Sequence, residues 1–199
     1  MSLRKHILLF SALWCIVLLT WPSLIYSQGD GSSRQRVNGT VIGIGGRFGG
    51  RSAPFTLIVN SYTALNQVRE LTDSLAGGRQ NELINALSKM NAGRIQVGTG
   101  VGVTANVIIA EPWGEGGQKL TVFYERNLRF YELRYGTRSE DYPIGYAEIY
   151  LDRNGHGQGT FIPAARVKLK DGNTWEVEDF GVYPARLMGL RSTGRVVPR

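Results

Sequence analysis

Between Gly145 and Asp179 apolar and polar residues alternate in three successive runs. In the first, Ala147, Ile149 and Leu151 alternate with Tyr146, Glu148, Tyr150 and Asp152. In the second, Phe161, Pro163, Ala165, Val167 and Leu169 alternate with Thr160, Ile162, Ala164, Arg166 and Lys168. In the third, Trp175 and Val177 alternate with Thr174, Glu176 and Glu178. A period of two puts one set against a core and the other toward water. Asn154-Gly155 and Asp171-Gly172 separate the runs, and such dipeptides supply the positive φ that tight hairpins require. The pattern predicts three antiparallel strands.

The rest of the chain divides in the same way. Val37–Ile44 and Phe55–Val59 read as two strands flanking the glycine-rich GIGGRFGG, Gly43 to Gly50. Thr63–Met90 has helical spacing: Leu65, Val68, Leu71 and Leu75 fall on one face, Gly77-Gly78 interrupts, and Leu83, Ile84, Leu87 and Met90 resume the stripe. Thr63 is the expected N-cap and Gly93 the expected C-terminal stop. Ile95–Val97 and Val103–Ala110 read as strands, Trp113–Gln118 as a turn, and Leu120–Tyr124 with Phe130–Tyr135 as a further pair. Leu187–Leu190 is expected as a last edge strand. The predicted class is α+β, with a mostly antiparallel curved or barrel-like sheet and a helical pair packed on it.

The two ends define the organisation. Residues 1–27 have the layout of a secretory signal peptide: Arg4, Lys5 and His6 precede the apolar Ile7–Thr20, Trp21 and Pro22 break the run, and Ser27 precedes a polar segment. An uncleaved N-terminal anchor is the alternative, because Ile7–Tyr26 is long enough to cross a bilayer. Residues 28–36 read as a flexible linker, 37–191 as a single domain, and 192–199 as a disordered tail. The expected location is the periplasm or the medium, with no stable membrane span once the signal is removed.

Composition narrows the chemistry. The only cysteine, Cys15, lies within the signal, so the mature domain is cysteine-free and offers no thiolate nucleophile or thiolate metal site. Of two histidines, His6 is also in the signal, which leaves His156 alone. The net charge of +7 falls to +5 without Arg4 and Lys5, with both signs interspersed along the chain. Export makes intracellular nucleic acid an unexpected partner; an envelope protein or an acidic polymer fits better.

The local motifs are weak. Gly100–Ala105 matches a G-x-G-x-x-A pattern, but the β-branched run after it opens no helix to receive a pyrophosphate. Asp152-Arg-Asn154-Gly-His156 echoes a calcium loop, but histidine suits a hard cation poorly and Pro163 stands where a bidentate glutamate belongs. Glu176 and Glu178, near Asp171 and Asp179, form a carboxylate pair of the kind that cleaves glycosidic bonds, and equally a solvated strand face. Arg126, Arg129, Arg134 and Arg138 interleave with Tyr124, Phe130, Tyr131, Tyr135 and Tyr142. Arginine forks beside aromatic faces suit sugars, phosphates and acidic polymers. Arg126, Arg129, Tyr131, Arg134 and Tyr135 are therefore the candidate ligand-binding residues. Trp113, between Pro112 and a glycine turn, fits an exposed platform or a core plug.

The segments FTLIVNSYT, ELINALSKMNAGRI, LDRNGHGQGTFIPAAR and WEVEDFGVYPARL resemble a family of exported bacterial proteins of uncharacterised function, over about Phe55–Arg191. The resemblance implies bacterial export and one domain. No activity, cofactor or catalytic residue comes with it. The chain is expected to be an exported, non-catalytic domain with a binding or structural role and no cofactor. A carboxylate-dependent glycan hydrolase and a module for acidic polymer are the alternatives.

Overall fold

A computed structural model of the chain describes residues 34–43, 49–76, 80–126, 141–170, 174–179 and 184–194, all within one compact unit, Ser32–Arg199. The strands are β1 (Gln35–Ile42), β2 (Ser52–Val59), β3 (Gly93–Val97), β4 (Val103–Ala105), β5 (Val107–Trp113), β6 (Gly117–Glu125), β7 (Ile144–Leu151), β8 (His156–Lys170), β9 (Thr174–Asp179) and β10 (Ala185–Thr193). The helices α1 (Leu65–Ala76) and α2 (Gln80–Leu87) lie between β2 and β3. Every ladder among the described residues is antiparallel. The order is β4-β3-β2-β1-β10-β8-β7-β6-β5, with β9 paired to the second half of β8.

The sheet curls but is not closed. Its end strands β4 and β5 are consecutive in the chain and separated only by Asn106. Alternate residues of the nine strands on this path share one concave core, from Val37, Phe55 and Ile95 through Leu120, Ile149 and Phe161 to Leu187 and Leu190. On the convex side, at one end, Leu71 and Leu75 of α1 and Leu83 and Leu87 of α2 pack with Val107, Phe123, Ile144 and Val167. Trp175 joins this second core: its ring meets Phe123 edge-on at 5.1 Å and its Nε1 donates to Thr72 Oγ1 at 2.9 Å. β6 therefore buries both faces, with Val122, Phe123 and Tyr124 consecutively buried.

Several local expectations give way to tertiary constraints. The run Phe161–Leu169 does not keep one face. Tyr146 pairs with Ile162 but Ile144 with Ala165, so β8 carries an extra residue around the exposed Pro163. The bulge reverses parity: Phe161 points into the concave core while Val167 points at the helices. Leu187–Leu190 belongs to a central strand, not an edge, because β10 lies between β1 and β8. Gly189, with φ 60°, supplies the bulge there, letting Leu187 and Leu190 both face inward despite their spacing of three. Val103–Ala110 is two strands broken at Asn106. Phe130–Tyr135 lies outside the described residues, and Leu120–Tyr124 pairs instead with β5 and β7, which occupy both edges of β6. β1 begins at Gln35 and β10 ends at Thr193.

The helix caps also differ. Thr63 does not cap α1; its Oγ1 accepts from Ile108 N at 3.0 Å and its own N–H donates to Ile108 O at 2.8 Å. Ala64 takes the cap position, with its N–H satisfied by Gln67 Oε1 at 3.1 Å. Leu65, expected in the apolar stripe, is 65% exposed. α2 ends at Leu87, and Gly93 opens β3 instead of stopping the helix. The carbonyls of Leu87 and Met90 receive Asn106 Nδ2 at 3.0 and 3.2 Å, while Asn106 Oδ1 accepts from Glu125 N at 2.7 Å. One buried amide thus turns the chain from β4 into β5 and terminates α2. Among the described residues no helix is long and apolar enough to cross a membrane.

Candidate functional site

The hairpin β5–β6 and strand β7 build a convex face beyond the helices. Glu111 and Trp113 of β5, Lys119 of β6 and Tyr146, Glu148 and Tyr150 of β7 share it, because Lys119 stands opposite both Glu111 and Tyr150. Trp113 is 45% exposed and its ring leans on Tyr150 at 5.1 Å with a tilt of 56°. This resolves the alternatives left open for Trp113: it is a platform.

The platform is held by a carboxylate. Tyr146 donates to Glu148 Oε2 at 2.8 Å, and Tyr150 donates a short hydrogen bond to Oε1. Lys119 Nζ lies 3.5 Å from Glu148 and 3.4 Å from Glu111. Burial alone would raise the Glu148 carboxyl, but the two hydroxyl donors and the Lys119 charge outweigh it and hold it below the ordinary range. The Tyr146 hydroxyl is pushed up, first by burial and then by its bond to the carboxylate. The two tyrosines therefore stay protonated as donors, and Glu148 stays ionised. Next to Trp113, a cleft of about 270 Å³ runs between the β5–β6 and β7–β8 turns, lined by Glu115, Asp152, Arg153 and Asn154.

Sequence reasoning missed Lys119, Tyr146, Glu148 and Tyr150 as a group. Tyr146, Glu148 and Tyr150 were legible as one strand face; their junction with Trp113 depends on the β6–β7 register.

Arg129, Tyr131, Arg134 and Tyr135 lie outside the described residues, as do Arg138 and Phe130. Arg126 Nε donates to Tyr142 O at 3.1 Å and its N–H to Pro143 O at 2.8 Å, tying the end of β6 to the start of β7. Tyr124, counted with the arginine–aromatic face, is instead a core residue, buried and stacked on Phe161 at 6.4 Å.

Glu176 is exposed on β9, while Glu178 pairs with Lys168 and accepts from Tyr142 at 3.1 Å. Those two partners, Lys168 foremost, hold Glu178 below its ordinary pKa. Glu176 and Glu178 are separated by about 7 Å along the strand, and neither lines the cleft beside Trp113. Asp152 Oδ1 accepts the N–H groups of Asn154 and His156, both at 2.8 Å. The calcium-loop echo is thus a hairpin turn closed on itself, with Gly155 at φ 76°. Among the described residues no three His, Cys, Asp or Glu side chains converge to hold a metal. The second half of Gly100–Ala105 is β4 itself, and no helix follows it. GIGGRFGG connects β1 to β2; Gly50 N donates to Gly43 O at 3.1 Å, and residues 44–48 lie outside the described set.

Comparison of the chain with protein-family models, curated proteins and solved structures returns no match. What the fold defines is a class: an α+β domain with an open, curled antiparallel sheet and two helices on its convex side.

Proposed function

We propose that the protein is an exported, non-catalytic binding domain that takes a glycan on the Trp113–Tyr150 face. The observation that carries this reading is the exposed Trp113 ring, fixed against Tyr150 at the mouth of a cleft that Glu115, Asp152, Arg153 and Asn154 also line. An indole face is apolar and electron-rich, so it attracts the C–H face of a sugar ring. The hydroxyls at the ring edge then need directed partners, and Glu115, Arg153 and Asn154 line the adjoining cleft. Glu148 orients the platform: it fixes Tyr150, which in turn supports Trp113. A pre-set aromatic pair loses little conformational entropy when a ligand binds.

Titration of the full chain with neutral oligosaccharides, followed by calorimetry and tryptophan fluorescence, tests the reading. W113A should weaken binding by roughly tenfold or more, the scale of losing one stacked aromatic anchor. Unchanged affinity in W113A would remove the proposal.

A further inference from the structure

The charges of the sheet are segregated by strand. None of the residues of β1, β2, β3, β4, β8 and β10 is Asp or Glu, whereas β5, β6, β7 and β9 carry Glu111, Glu125, Glu148, Glu176, Glu178 and Asp179. The convex side of the acid-free wall is basic. Arg36, Arg94, Arg186 and Arg191 all point outward and are exposed, because their neighbours Gln35, Val37, Ile95, Leu187 and Leu190 fill the interior.

Register sets the spacing. Arg94 stands opposite Ile58, and Ile58 opposite Arg36, which puts the two arginines about 10 Å apart across two strand steps. Arg191 lies opposite Asn38 and, on its other side, His156. Arg186 lies opposite Ile42 and Thr160. Among the described residues none of the four meets a carboxylate within ion-pair distance. Arg94 Nη1 donates to Val101 O at 3.0 Å. Beside His156, Asp152 Oδ1 accepts two N–H groups of the β7–β8 turn. At the β3–β4 edge the stripe runs into a groove of about 450 Å³ that adds Lys89, Ser88 and Thr104, with Glu125 also in its lining.

We infer that this wall is a second binding surface, independent of the Trp113 platform, and that its ligand is an acidic polysaccharide. Guanidinium forks grip carboxylate or sulfate groups bidentately, and strands without acids confine repulsion of a polyanion to the margins, where Asp152 and Glu125 lie. The residues between the arginines select the polymer. Asn38, Thr40, Thr56, Gln96, Thr104 and Thr193 are outward-facing hydroxyl and amide groups that match sugar hydroxyls. The outward positions of β1, β2, β3 and β10 hold no Phe, Tyr or Trp, so the wall lacks the stacking surfaces that single-stranded nucleic acid uses and the aromatic anchors of a membrane interface.

The test is binding of the full chain to polygalacturonate, with neutral dextran, a single-stranded oligonucleotide and anionic phospholipid vesicles as comparators. Polygalacturonate should bind best and weaken steeply as salt rises. R36A/R191A should bind roughly tenfold or more weakly, the scale of losing two charge-assisted contacts, and R36K/R191K should fall between. W113A should bind polygalacturonate as the parent does, which separates this surface from the platform. Both arginine side chains are exposed, so thermal melts should confirm that the variants stay folded. Wild-type affinity in R36A/R191A, salt-independent binding, or preference for the oligonucleotide or the vesicles would each overturn the inference.

Discussion

Replacing Asn106 tests whether one buried amide holds the fold's corner. Its side chain is 4% exposed and makes three hydrogen bonds, to Leu87 O, Met90 O and Glu125 N. N106A removes all three, leaving Met90 O and Glu125 N without the amide, while Leu87 O keeps the Met90 N–H at 2.9 Å. At about 1 kcal/mol net for each bond, the loss sums to roughly 2–4 kcal/mol, a large share of the roughly 5–15 kcal/mol that holds a domain together. The groove lined by Ser88, Met90 and Asn106 admits water to part of the site, which places the expected value toward the lower end. Urea denaturation at neutral pH should show a lower midpoint with an unchanged slope, since the surface exposed on unfolding stays the same.

N106D separates the charge at this corner from its hydrogen bonds. It keeps the acceptor for Glu125 N but turns a carboxylate oxygen toward two carbonyls. The buried acid's folded pKa must then rise above its unfolded value of about 3.9. Its deficit should be full above the folded pKa and shrink as pH falls toward the unfolded value, where the neutral acid can donate one O–H. The N106A deficit should not follow pH in this way. An N106A loss below about 0.5 kcal/mol, within the scatter of ordinary surface changes, would refute the corner role, as would an N106D protein as stable at neutral pH as the parent.

Two further substitutions probe the platform and the sheet. E148Q keeps the shape of the side chain but removes the charge that Tyr146, Tyr150 and Lys119 address. Because the folded pKa of Glu148 is depressed, its stabilisation is present above the unfolded carboxylate range and is lost as pH falls through the folded pKa. The gap between parent and E148Q, about 1 kcal/mol at neutral pH, should therefore close on acidification; a gap that stays constant in acid melts counts against the assignment. G145A would place a methyl carbon 1.9 Å from Tyr124 Cζ, an overlap that only displacement of the core ring can relieve. Thermal unfolding should report a loss of about 1–3 kcal/mol, and wild-type stability would mean that Tyr124 does not occupy this position.

The α+β class, the helical pair, the three-strand run from Gly145 and the hairpin at Asn154-Gly155 follow from the chain alone. Each depends on periodicity or turn chemistry within a few residues, which is local information. The face of each strand was legible where the period stays unbroken, as in Ala147, Ile149 and Leu151. It was lost at Pro163 and Gly189, where a single extra residue reverses every side chain beyond it and only the partner strand reveals the shift. Thr63 and Asn106 show the same limit: each has a side chain suited to capping a nearby backbone group, yet Thr63 bonds a residue 45 positions away and Asn106 closes a helix that ended before β3 began. The platform and the basic wall depend on strand order. Trp113 meets Tyr150 because β5, β6 and β7 lie side by side, and Arg36 comes near Arg191 because β10 returns to pair with β1. Neighbours so far apart in sequence leave no periodic trace in it, so the tertiary pairing alone brings them together.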